Sequence, residues 1–292
     1  MADTRPTPWW IVGRQRKQWY TLTLGDVAEN GPTMEKIGKL ADKGMSVESL
    51  RQLHDRFLDQ KVPCKLVDLA ILLEGYTKET VPEAALLVVG LNEMMEDSNA
   101  EDALVEEVSK MPTDKTHLDD YGRGVVHSKS RYNNTIDDRD QAPDIAKGKG
   151  TVVNFKDYPM ADKLRRLVTA LLDTTKLCGE LNHYFDPAKC GISWHGDKER
   201  RCVVGVRLGK GSDGVPLMLQ WYKRGAAIGP EVRIPLTSGN VYFMSEKAVG
   251  FDCENSTILT LRHAAGRDSF HFSRDKCKAE AQPVVYLSAL PK

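Results

Sequence analysis

The chain lacks a long apolar run, a net charge and any closely paired cysteines, and each absence removes a class of protein. Its 292 residues carry 41 basic and 41 acidic side chains. No overall field therefore draws it to nucleic acid or anionic lipid, and any polyanion site has to be a local patch. No stretch approaches the eighteen or so apolar residues of a membrane span. The opening "MADTRPTPWWIVGRQRKQWY" has no apolar core of the kind a secretory leader needs. The six cysteines are scattered without a C-x-x-C pair, which suits reduced, buried thiols better than a disulfide framework or a zinc site. A soluble protein of the cytoplasm or nucleus with no membrane partner is expected.

The first third reads as helix. "SVESLRQLHDRFLDQ" (46–60) follows a serine start with Val47, Leu50, Leu53, Phe57 and Leu58 on one face, the spacing of an amphipathic helix. "CKLVDLAILLEG" and "PEAALLVVGLNEMMED" extend that reading, the second with Pro82 in a first-turn position, although "AALLVVGL" reads equally well as a buried strand. "AEDALVEEVSKM" completes a small bundle. Residues 112–150, with "SKSRYNNTIDDRDQAPDIAKGKG", lose periodicity and read as a linker or substrate loop. After Thr151 "ADKLRRLVTALLDTTKLCGEL" predicts one helix. Short β-rich runs follow: "GISWH", "CVVGVRLG", "PLMLQWYKRG", "EVRIPL", "NVYFMS", "TILTLRH", "SFHFSR" and "VVYL". The expected fold class is α+β, with a mainly helical region (1–111), the linker (112–150) and a C-terminal jelly-roll barrel (151–292).

The segment "NHYFDPAKCGISWHGDKER" (182–200) concentrates the chemistry. His195 and Asp197 stand two apart at the end of an apolar strand, where an imidazole and a carboxylate can share one side of a metal. A further histidine from a distant strand would complete the two-histidine, one-carboxylate facial triad of non-haem Fe(II). The downstream candidates are His263 in "TLRHAAG" and His271 in "SFHFSR". A second His-x-Asp, His117 to Asp119, lies in a polar, turn-like stretch and reads as incidental.

The same segment resembles the Asn-x-Tyr…His-x-Asp-x-x-Glu signature of the AlkB-like Fe(II)/2-oxoglutarate-dependent dioxygenases. The likeness extends over residues 180–275, through "VVGVRLG" and "LTSGNVYFMS", where Asn240 stands in place of the family's aspartate. It implies a double-stranded β-helix, with Fe(II) held by His195, Asp197 and His263. Asn182 and Tyr184 would hydrogen-bond 2-oxoglutarate, and Glu199 would support the site. For the arginine that pairs with the far carboxylate, "RDSFHFSR" offers Arg267 and Arg274, one residue out of the family's spacing. A rival alignment makes "ILTLRH" that strand, ending in Arg262.

The implied enzyme is an oxidoreductase that consumes oxygen and 2-oxoglutarate and hydroxylates a C–H bond. On an N-methyl group that outcome is demethylation. AlkB-like enzymes generally act on methylated bases in DNA or RNA, single-stranded or flipped. Interleaving of Trp9, Trp10, Trp19 and Tyr20 with Arg14, Arg16 and Lys17 suits such a partner, as it also suits an edge strand with a charged outer face. "KERR" and "WYKRG" add positive charge near the barrel. Two alternatives stand beside this reading: an oxygenase acting on protein, and a non-catalytic barrel that serves as a binding module.

Overall fold

The computed structural model describes residues 18–31, 33–119, 121–267 and 283–290. In the first half of the chain the strands are β1 (Trp19–Gly25), β2 (Val27–Glu29), β3 (Lys36–Gly38), β4 (Cys64–Asp68), β5 (Ala85–Gly90), β6 (Thr116–Leu118), β7 (Val125–His127) and β8 (Tyr132–Asp137). The second half supplies β9 (Val152–Asn154), β10 (Cys178–Tyr184), β11 (Gly191–His195), β12 (Val203–Leu208), β13 (Val215–Lys223), β14 (Ala226–Leu236), β15 (Asn240–Met244), β16 (Thr260–Gly266) and β17 (Val284–Tyr286). The longer helices are α1 (Val47–Asp59), α2 (Ala100–Lys110) and α3 (Pro159–Leu171). Eight strands form one sheet in the order β4-β5-β15-β12-β1-β10-β8-β9, and five form another in the order β11-β16-β13-β14-β17.

Side-chain alternation along the strands sets the layers. Tyr20, Leu22 and Leu24 of β1 and Val204, Val206 and Leu208 of β12 share a core with the buried stripes of the helices: Leu50, Leu53 and Phe57, Leu104 and Val108, Leu164 and Val168. The intervening residues face the smaller sheet. There Val203, Tyr242 and Met244 meet Leu217, Leu219, Trp221 and Leu261. Helices, large sheet and small sheet thus lie in that order, and the large sheet is covered on both faces.

Helix α1 forms where its spacing predicts, and the Ser46 side chain accepts the Ser49 N–H at 3.0 Å, a cap worth about 1 kcal/mol. Leu58 departs from expectation. It lies 52 % exposed, because 100° past Phe57 it has already left the buried stripe.

The N-terminal region is not mainly helical. "CKLVD" is β4 and "ALLVVG" is β5. All six residues of β5 are buried, so a strand covered on both faces shows no alternation and imitates a helix core. The predicted long helix stops at Leu171, Asp173 turns the chain with φ 48°, and "CGEL" opens β10. Nor are residues 112–150 a linker alone, since β8 pairs with β10. The large sheet draws on all three expected segments, and its hydrogen bonding runs across both expected boundaries. Trp9, Trp10, Arg14, Arg16 and Lys17, and the "SFHFSR" strand with His271 and Arg274, lie outside the described residues. Among the described residues no helix is long and apolar enough to cross a membrane, and Cys64, Cys178, Cys190, Cys202 and Cys253 are free thiols.

Candidate metal centre

Strand β11 ends at His195 beside β16, and the register pairs His195 with His263 across a bulge that begins at Ile192. Such irregularities re-aim side chains at strand ends. Next, Gly196 packs so closely on the Gly250 carbonyl and Cys253 that a Cβ would overlap both. The Asp197 N–H then donates to the Val249 carbonyl at 3.0 Å, which turns the carboxylate back toward the histidines. Asp197 Oδ1 lies 3.3 Å from His195 Nε2 and 3.5 Å from His263 Nε2. One ligand atom from each residue falls within 4.8 Å of the others.

His195 Nδ1 lies 2.7 Å from the Ser193 carbonyl oxygen. That acceptor requires the proton on Nδ1 and leaves the Nε2 lone pair facing Asp197, the orientation a metal-binding histidine needs. Burial, reinforced by His195, pushes the His263 imidazole below its ordinary value, toward the neutral form that binds metal. Burial alone would raise the Asp197 carboxyl, but Arg200, His263 and His195 together hold it well below the usual range.

Arg200 is 4 % exposed, not part of a surface patch as "KERR" suggests. It lies 2.5 Å from Glu180, 2.8 Å from Glu199 and 3.8 Å from Asp197. Burial works against the Arg200 charge, yet the three carboxylates lift its pKa well above the ordinary value. Glu199, in the position the resemblance marks as supporting, clamps Arg200 and remains raised by its own burial.

Below the triad lies an inner cavity of about 60 Å³ between the sheets, room for a few water molecules. Asn182 and Tyr184 line it. Asn182 accepts from Arg131 at 2.6 Å and donates to Glu180 at 2.9 Å. Tyr184 stacks on Trp19 with ring centroids 3.6 Å apart.

Arg207 of β12 also lines the cavity, 1 % exposed, and its Nε and Nη1 have no hydrogen-bond partner. Its guanidinium lies 4.2 Å above the Trp19 ring, and burial pulls its pKa down. An uncompensated buried charge costs several kcal/mol. Sequence reasoning passed over Arg207, Arg200 and Trp19 as parts of the site. The one local signal was an arginine on the inward phase of an apolar strand, two residues past Gly205.

Of the late arginines expected to meet the far carboxylate, Arg262 and Arg267 lie elsewhere, and Arg274 is outside the described residues. Arg267 donates to the Gly211 and Asp213 carbonyls at 3.3 and 3.2 Å and fastens that loop. Arg262 lies 4.6 Å over the Tyr222 ring and lines an outer pocket of about 380 Å³. His195 borders both spaces. The second His-x-Asp is not a site: Asp119 pairs with Arg123, and His117 Nδ1 meets Ser128 Oγ at 2.9 Å.

Fold and site thus define a mixed α/β protein of two facing sheets with a His-Asp-His cluster at the end of the smaller one. The chain belongs to the same family as an uncharacterized protein of Acanthamoeba polyphaga mimivirus, 36 % identical over 254 residues, which are 87 % of this chain and 98 % of the viral protein. No family model and no solved structure matches the chain.

Proposed function

We propose that the protein is an Fe(II)- and 2-oxoglutarate-dependent dioxygenase of the jelly-roll type that oxidises a modified nucleobase in DNA or RNA. The carrying observation is the convergence of His195, Asp197 and His263 between an inner cavity and an outer pocket. The donor set fits the metal: two imidazoles and one ionised carboxylate, with His195 oriented by the Ser193 carbonyl. With 2-oxoglutarate and oxygen, Fe(II) at this position would supply the oxidising power to hydroxylate a C–H bond. The chain's own groups would hold the metal, with Asp197 kept ionised beside Arg200 and His195 bordering both the inner cavity and the outer pocket.

Topology supports the jelly-roll part of the reading. From β10 to β16 the chain visits large, small, large, small, small, large and small sheets in turn, the itinerary of two Greek keys wound together. An eighth strand would return to the large sheet between β10 and β12. β1 holds that slot here, paired antiparallel to both.

The outer pocket supports a nucleic-acid substrate. Arg262 stacked on Tyr222, with Arg224 and a Lys198 paired to Glu254 also lining the pocket, brings aromatic and cationic groups together, as recognition of a base and its phosphate requires.

Anaerobic titration of the full chain with Fe(II) and 2-oxoglutarate tests the cofactor site through the weak visible charge-transfer band of the chelate. The band is expected in the parent, absent in His263→Ala and retained in His117→Ala. Its absence from the parent would refute the dioxygenase reading. Succinate formation stimulated by a methylated oligonucleotide and not by peptides tests the substrate class.

A further inference from the structure

We infer that Arg207 is a carboxylate receptor of the inner cavity. For the other end of its ligand, the metal-chelating end, the inference rests on the dioxygenase reading above.

The two buried arginines of the site differ in one respect. Arg200 is surrounded by Glu180, Glu199 and Asp197, so a permanently ionised side chain with a structural duty has its countercharge within the fold. Arg207 is buried at least as deeply, and among the described residues no carboxylate pairs with it. A guanidinium is charged at any working pH. It persists in such a place when a partner arrives from outside.

Position and orientation both serve an anion. Cross-strand register sets Asn182, Thr21 and Arg207 in one row over β10, β1 and β12, all on the cavity side. Trp19 occupies one face of the guanidinium, and the cation–π contact leaves the in-plane N–H groups available. Nε and Nη1 are the groups without partners, so the guanidinium keeps N–H donors for an incoming carboxylate oxygen. The Trp19 Nε1–H is likewise buried without a partner. Arg207, His195, Asp197 and His263 all line this one cavity. A ligand there would have one end at Arg207 and the other toward the His195–Asp197–His263 cluster, a description that 2-oxoglutarate meets and that pyruvate, without a second carboxylate, does not.

The test is calorimetric titration of the full-length protein, loaded with Mn(II) in place of Fe(II), with 2-oxoglutarate, pyruvate and glutarate. The parent is compared with Arg207→Met, Arg207→Lys and Arg267→Ala, and melting curves are recorded without metal or acid. The parent is expected to prefer 2-oxoglutarate to pyruvate. Arg207→Met should lose on the order of 100-fold in 2-oxoglutarate affinity, the scale of a truncated buried charge pair, with pyruvate and Mn(II) binding unchanged. Arg207→Lys keeps the charge without the fork, should lose on the order of 10-fold, and guards against a folding defect in the methionine variant. Arg267→Ala should match the parent. Because no carboxylate among the described residues pairs with Arg207 and only the Trp19 stack is lost, the metal-free methionine variant should melt close to the parent, whereas removal of a paired buried cation would lower it by several degrees.

Undiminished 2-oxoglutarate affinity in Arg207→Met overturns the inference and leaves the dioxygenase reading standing. Binding of glutarate but of neither keto acid, lost in Arg207→Met, sustains the inference and refutes that reading. A parent that binds none of the three acids overturns both.

Discussion

Arg200→Met removes the cation at the centre of the site's charge network and should be among the costliest single changes in the protein. Methionine keeps most of the length and the apolar stem, so the perturbation is chiefly electrostatic. Glu180, Glu199 and Asp197, which lie 2.5, 2.8 and 3.8 Å from the guanidinium, would lose their common partner while remaining buried. Breaking one buried pair costs about 3–5 kcal/mol, a large part of the roughly 5–15 kcal/mol that holds a domain together. A loss of about 4 kcal/mol at pH 7.5 is expected, read as a lower urea midpoint at constant slope. The pH dependence carries the physics. In the parent, Asp197 is held below its unfolded value, so its contribution is full above the unfolded carboxylate pKa of about 4 and is lost as pH falls through the folded one. In the variant, burial acts without Arg200, the carboxyls take up protons more readily, and stability is lost as pH rises instead. The gap between parent and variant should therefore be wide at pH 7.5 and narrow markedly by pH 4.5. A deficit below about 1 kcal/mol, typical of an exposed ion pair, or one that does not change with pH, would refute the reasoning.

Glu29 provides a test of opposite sign. Burial first, then Glu199 and Glu180 against Lys36 and Arg200, raise its carboxyl from 4.5 to about 7. The protonated form is favoured in the fold, so the stability it brings is full below pH 4.5 and lost as pH rises to about 7. Glu29→Gln mimics the protonated group. It should be neutral near pH 4.5 and stabilising by about 2–3 kcal/mol at pH 8, and equal urea midpoints for variant and parent at pH 8 would contradict the assignment. Gly205 lies under the Tyr242 ring, which a Cβ would overlap, and Tyr242 is itself buried. Gly205→Ala should cost about 1–3 kcal/mol or more as overpacking, and a change within 0.5 kcal/mol in a urea melt would show that the ring can move aside.

The strands of the second half were legible because short β-branched runs between glycine and proline breaks leave few alternatives, as in "GISWH" and "CVVGVRL". The three residues of the triad were legible through the His-x-Asp at a strand end and the few histidines that follow it. Illegible were the elements whose conformation depends on partners far along the chain. β5 is a strand because β4 and β15 flank it and both its faces are covered. Its own sequence, "ALLVVG", is apolar at every position and carries no period. β1 was hidden among aromatic and basic residues that suggested a surface, whereas Trp19 is fully buried against Tyr184 and Arg207.

The positions of Arg262 and Arg267 away from the cavity have a related cause. Motif reading follows chain order, so it looked for the carboxylate's partner on the late strands, beside His263 at Arg262 and after it at Arg267 and Arg274. A sheet imposes no chain order. Its requirement at the slot between β10 and β12 is a strand with the right hydrogen-bond register and an apolar face toward the helices, and Tyr20, Leu22 and Leu24 of β1 meet it. β1 turns Thr21 and Thr23 to the cavity, neither of them cationic. With the slot so filled, positive charge in the cavity has to come from a neighbour, and on the next strand the inward positions are Val203, Gly205 and Arg207. Gly205 is reserved for the Tyr242 ring and Val203 belongs to the apolar core. Arg207 alone of the three is both cationic and beside the Trp19 ring that fixes its orientation. On the proposed dioxygenase reading, β1 and the arginine of β12 act together, and a change at Trp19 is expected to weaken carboxylate binding through Arg207 although Trp19 stands far from His195, Asp197 and His263 in sequence.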